Sequence, residues 1–150
     1  MENKIATTIE QSKKLLELGI DEGTADMYWW HYEEKTYLNG MYDGEFNKHE
    51  KDVPAWSLSA LMNLMPSELE LPDMYGGTIK YEIRIRKYNH IPNELDLYQI
   101  AYATNQGLSK SWHDMVNTSE QENLLDAVFE MVCYLKENKL IWNLKKKENF

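Results

Sequence analysis

The sequence predicts an α+β domain, with an antiparallel sheet of about four to five strands packed with about three α-helices on one face. Three observations predict it. Apolar residues recur at helical spacing in three separated segments. Between those segments the pattern changes to strict alternation. The order is helix, strands, helix, strands, helix, which leaves neighbouring strands to pair antiparallel. At 150 residues and 43% apolar content the chain has the length of one domain, residues 1–150, and the means to build a core without staples.

The first helix is expected over residues 8–18. Thr7 and Glu10 have the T-x-x-E spacing of a capping box, and Ile9, Leu15, Leu16 and Leu18 give it an apolar side. Gly19 stops it, and Ile20 is placed to pack back as in a Schellman turn. Segments 25–32 and 35–42 read as a hairpin, with Met27, Trp29 and His31 on one face and Tyr28, Trp30 and Tyr32 on the other. Residues 39–52, NGMYDGEFNKHEKD, read as a polar loop.

A second helix is expected over 57–65, from Leu58, Leu61, Met62 and Met65, and Pro66 ends it. The clearest strand is TIKYEIRIRKY, 78–88, with Ile79, Tyr81, Ile83 and Ile85 opposite Lys80, Glu82, Arg84 and Arg86. A partner strand follows at 95–103 after a turn containing Pro92, and a shorter one at 109–115. The third helix is expected over 120–138, opened by a Ser119/Glu122 capping box. Leu124, Leu125, Val128, Phe129, Met131, Val132 and Leu135 form its broad stripe. A basic tail, near residues 143–150, is expected to fray.

Charge narrows the function classes. Sixteen Lys and Arg against 25 Asp and Glu give −9. Residues 1–135 hold 11 basic and 23 acidic groups, or −12, and residues 136–150 hold five and two, or +3. That balance argues against direct nucleic-acid binding, which needs clustered cations. Nothing reaches the roughly 20 apolar residues of a membrane span. One cysteine, Cys133, excludes an internal disulfide and a CxxC zinc cluster. Its place on the apolar side of the third helix reads as an inert core thiol. With one thiol and no secretory leader, the cytoplasm is the expected compartment.

The blocks TTIEQSKKLLELGID with TADMYW, then PAWSLSALMNLMP, then ENLLDAVFEMVCYLKENKLI stand in that order at 7–30, 54–66 and 122–141. In them the chain resembles a family of short proteins encoded by phages, prophages and mobile elements of gut bacteria. The resemblance implies an origin and a life in a bacterial host cell. It carries no catalytic or binding residue across.

No motif of enzyme chemistry stands out. There is no G-x-S-x-G elbow, and Gly76–Gly77 precedes a strand where a phosphate loop would follow one. His31, His49 and His113 each lie near a carboxylate and are the candidate metal ligands, while the plainer reading makes them, with His90, surface imidazoles. Asp126 and Glu130 lie four apart on the expected solvent side of the third helix.

The aromatic residues say more. Tyr28, Trp30, Tyr32, Tyr37 and Tyr42 crowd the first hairpin, beside an acidic stretch in which residues 17–52 hold ten carboxylates against three lysines, or −7. Aromatic anchors within a polar rim are the usual anatomy of a protein interface. The sequence therefore points to a non-enzymatic module that binds another protein or itself, as a possible homodimer, with no cofactor. Two other readings stay open: an acidic imitation of DNA that inhibits a host defence nuclease, and a metal-dependent hydrolase built on the histidines.

Overall fold

A computed structural model describes residues 4–32, 35–40, 52–89, 96–106 and 111–141, leaving the side chains of His31, Tyr32 and Lys35 outside that description. The fold is α+β, with three α-helices and two antiparallel sheets among the described residues. The strands thus divide between two sheets where one was expected. The chain forms two compact units, Met1–Met65 with Val132–Phe150, and Pro66–Met131. No helix among the described residues is long and apolar enough to cross a membrane.

In the first unit, helix α1 spans Ile9–Glu17. Its cap lies one residue later than expected. Thr8 Oγ1 accepts the Gln11 N–H at 3.1 Å, and Gln11 Oε1 accepts the Thr8 N–H at 3.0 Å. Thr7 is instead fully buried, in a network that leaves it no role as a cap. Its N–H donates to Trp56 O at 2.9 Å, its Oγ1 accepts the Trp56 N–H at 3.0 Å, and the same oxygen meets Ser12 Oγ at 2.8 Å. At the other end Gly19, at φ +87°, donates to Leu16 O, and Ile20 donates to Leu15 O, which is the expected Schellman turn.

Strands β1 (Met27–Tyr32), β2 (Lys35–Gly40) and β3 (Val53–Ala55) form the first sheet in the order β2-β1-β3. β1 and β2 pair from Met27↔Gly40 to Tyr32↔Lys35. β3 was not foreseen; it is short and carries Pro54 opposite Tyr28. Helix α2 spans Leu58–Leu64, capped by Ser57 Oγ on the Ala60 N–H. Buried Leu15, Ile20, Ala55, Trp56, Leu61 and Leu64 are core residues of this unit.

In the second unit, β4 (Glu68–Pro72), β5 (Thr78–Tyr88), β6 (Leu97–Thr104) and β7 (His113–Asn117) form a sheet in that order. β4 was also not foreseen, and β7 begins four residues later than the expected strand. The alternation of β5 holds from Thr78 to Ile83 and then reverses: Ile85 is 48% exposed, while Arg84 and Arg86 are half-buried. Tyr81 lies opposite Leu69, Ile83 opposite Tyr102 and Ile85 opposite Ile100, with Leu69, Tyr102 and Ile100 buried. Tyr102 OH donates to Pro66 O at 2.6 Å, and burial pushes this phenol's pKa up.

Helix α3 spans Leu124–Glu137, starting later than expected. Ser119 opens no capping box. Its N–H and hydroxyl donate to the Glu130 carboxylate, at 3.1 and 2.9 Å to Oε2. Asn123 caps the helix, its Oδ1 accepting the Leu125 N–H at 2.9 Å. Leu125, Val128, Met131, Val132 and Leu135 are buried. Cys133 is only half-buried, one helical turn beyond half-buried Phe129 and outside that buried row. The expected frayed tail, 143–150, lies outside the described residues.

Candidate functional site

On the first sheet Trp29 is half-buried and tethered: its Nε1–H donates to Thr7 O at 2.9 Å, and it lies opposite Leu38 and Val53. Period-two geometry then puts Tyr28 and Trp30 on the other face. There Trp30 lies directly opposite Tyr37, their ring centroids 5.1 Å apart and tilted by 33°. Asn39 Nδ2 donates to Tyr28 OH at 3.1 Å. Trp30 and Tyr28 are half-buried, and Tyr37 is 41% exposed. Such a pair holds two large rings in fixed orientation at the surface, and cross-strand aromatic pairs contribute about 0.5–1 kcal/mol to holding it.

Of the sequence candidates, the structure brings Tyr28, Trp30 and Tyr37 onto one face. Tyr32 has its backbone in β1 and its side chain outside the description; Tyr42 lies outside the described residues altogether.

Of the four histidines, His113 is the one whose side chain is described. His31 is paired with Thr36 through the backbone, and its side chain is not described. His49 and His90 lie outside the described residues. His113 is exposed, its Nδ1 3.4 Å from Ser111 O. Its neighbour Asp114 is engaged elsewhere, in a two-pronged pair with Arg86 at 2.6 and 2.7 Å. That hydrogen-bonded guanidinium holds the Asp114 carboxyl below its ordinary pKa, and Asp114 in turn raises that of Arg86. Among the described residues no group of three or more His, Cys, Asp and Glu side chains could hold a metal ion.

Carboxylates on the polar face of the second sheet alternate with cations. Glu70 lies opposite Lys80, Glu82 Oε2 is 3.2 Å from Arg84, and Asp114 pairs with Arg86. A phosphate-like array needs charges of one sign in sequence along a face. This face is mixed. It also carries a feature the sequence reading missed: the Arg84 guanidinium sits 3.9 Å over the ring of Trp112, which is 47% exposed. The two residues are 28 positions apart, so no local pattern announces the contact.

Against protein-family models, curated proteins and solved structures, the chain finds no match in any of the three comparisons.

Proposed function

We propose that the chain is a non-enzymatic accessory protein of a phage or other mobile element, acting by binding another protein, or a second copy of itself, through the face of the first sheet that carries Tyr28, Trp30 and Tyr37. The observation that carries this reading is the Trp30–Tyr37 pair, fixed in register on the face opposite the tethered Trp29. Rings held in place before binding lose little conformational freedom on contact. Tryptophan and tyrosine are also the side chains that most often dominate interface energetics. The three-block resemblance at 7–30, 54–66 and 122–141 supports the mobile-element origin.

The test is capture of partners by the tagged full chain from bacterial cytoplasm, read by mass spectrometry, beside sedimentation of the chain alone. The expected result is one dominant partner at near-equal amount, or a defined oligomer. Tyr37→Ala is the decisive variant because its ring is the most exposed of the three. It should weaken that complex by more than about tenfold, or about 1.4 kcal/mol, while Tm falls by less than about 3 °C. Unchanged binding by Tyr37→Ala, or recovery of the bait alone, would overturn the reading.

A further inference from the structure

The second unit carries a groove beside the tip of the β4–β5 hairpin, and the turn at that tip is closed by its own hydrogen bonds. The Asp73 N–H donates to Gly77 O at 2.9 Å, and Asp73 Oδ1 accepts the N–H groups of Tyr75 and Gly77 at 2.8 Å each. Gly76 makes the left-handed step at φ +85°. A Cβ on Gly77 would lie 3.1 Å from Asp73 Oδ2, so glycine lets that carboxylate close over the turn. Backbone and carboxylate thus hold the turn, and the Tyr75 ring, 90% exposed, is left for other use.

The groove is open and holds about 810 Å³, within the roughly 300–1,000 Å³ of small-molecule sites. Tyr75, Met74 and Ile79 give it apolar surface, and Asp73, Asn105 and Gln106 give it polar atoms. Much of that polar capacity is unspent. Gln106 Oε1 accepts the Lys80 N–H at 3.0 Å, which fixes the amide and leaves its Nε2 donors over. Among the described residues no hydrogen bond engages Gln106 Nε2, the Asn105 side-chain amide or Asp73 Oδ2. Asp73 is the one charged side chain in the lining, and no cation joins it there.

We infer that this groove binds a neutral carbohydrate. One face of a sugar ring is made of C–H groups and packs on an aromatic ring, and Tyr75 offers such a ring on a fixed turn. The hydroxyls of a sugar each donate and accept, and two planar amides beside a carboxylate match both roles. The same lining disfavours other small ligands. A phosphate or nucleotide would meet the Asp73 carboxylate with no cation to balance it. An organic cation would meet one carboxylate, of which one oxygen is already committed to the turn. A wholly apolar ligand would cover the two amides without pairing them. The inference does not depend on the aromatic face of the first unit.

The test uses the full chain with methyl-labelled methionine, observed by NMR in about 0.15 M salt. The probes are short neutral oligosaccharides of glucose, galactose, mannose and N-acetylglucosamine, beside oligogalacturonate, which is anionic, and oligoglucosamine, which is cationic. The expected result is a saturable shift of the Met74 methyl with at least one neutral oligosaccharide and a weaker response to both charged ones. Tyr75→Ala keeps the N–H that closes the turn and should lower affinity at least about tenfold. Tyr75→Phe keeps the ring and should stay within about twofold of wild type. Asn105→Leu removes an exposed amide and should weaken binding several-fold. Tyr37→Ala, on the first sheet, should bind as wild type does. No shift with any neutral oligosaccharide, an equal or stronger response to either charged one, or undiminished binding by Tyr75→Ala or Asn105→Leu would overturn the inference. A loss in Tyr75→Phe or Tyr37→Ala as large as that in Tyr75→Ala would overturn it as well.

Discussion

At the scale of single residues, the backbone of Lys139 is the clearest departure from easy geometry. It stands at φ +58° just past α3, where the Lys139 N–H donates to Lys136 O and the Leu140 N–H to Leu135 O. This is a second Schellman turn, with lysine where glycine is at home. A Cβ in the left-handed region costs roughly 1–2 kcal/mol, and glycine returns part of that gain by loosening the unfolded chain. Lys139→Gly should therefore stabilise the protein by about 0.5–1 kcal/mol and raise Tm by about 2–4 °C, measured by thermal denaturation. An unchanged or lower Tm would mean that the lysine side chain contributes more than its backbone costs. Gly19 fills the same position after α1, and there the sequence reading succeeded because glycine itself is the signal. Lysine sends no such signal, so the second turn was invisible.

Elements show why some motifs read correctly and others misled. TIKYEIRIRKY was legible as a strand because alternation is a property of one segment; what it does not give is the covering of each face, and Ile85, on the face read as dry, is exposed although it lies opposite buried Ile100. The capping box of α1 was misplaced because Thr7 and Thr8 are neighbours and both T-x-x-E and T-x-x-Q fit the pattern. Burial decides between them, and burial depends on Trp56, forty-nine residues away. The two roles predict different costs. Thr8→Ala loses an exposed-side cap, worth about 1 kcal/mol. Thr7→Val leaves the Trp56 N–H and Ser12 hydroxyl facing a methyl in a buried site, and should cost about 2–3 kcal/mol in denaturant unfolding. Equal costs would dissolve the distinction.

Ser119 misled for the same reason, since its carboxylate partner is Glu130, not Glu122. The Arg86–Asp114 pair, joining β5 to β7 across β6, was equally beyond local reading. Asp114 has a lower pKa folded than unfolded, so its contribution is present above the ordinary Asp value near 4 and disappears as pH falls through the lowered one. Asp114→Asn should cost about 1 kcal/mol near neutrality. Wild type and variant should converge in Tm as pH falls below that lowered value, and a gap that persists there would remove the ion pair as its cause.

At the scale of the whole molecule, the sequence patterns named most of the strands but not their division into two sheets. Pairing is decided by contacts between distant segments, and β3 and β4 fell below notice because one is three residues with a proline and the other reads ELELP, dense in charge. The placing of Tyr28 and Trp30 on one face did not depend on the pairing, because the faces of a strand follow from period two. What the whole chain adds is its charge of −9. Two copies repel each other over a Debye length of about 30 Å in about 10 mM salt and over about 10 Å in 0.1 M. Self-association through Tyr28, Trp30 and Tyr37 should therefore strengthen as salt rises, whereas attraction to a cationic partner should weaken. Aromatic contact is little screened, so the complex captured through this face should lose less than about threefold in affinity between 0.1 M and 1 M salt. Imitation of a phosphate backbone demands the opposite, a loss of orders of magnitude over that range, because its affinity resides in matched charges. Binding isotherms for one captured partner at these two salt concentrations decide between them. A shallow dependence keeps the function on the rings, and a steep one moves it to the carboxylates.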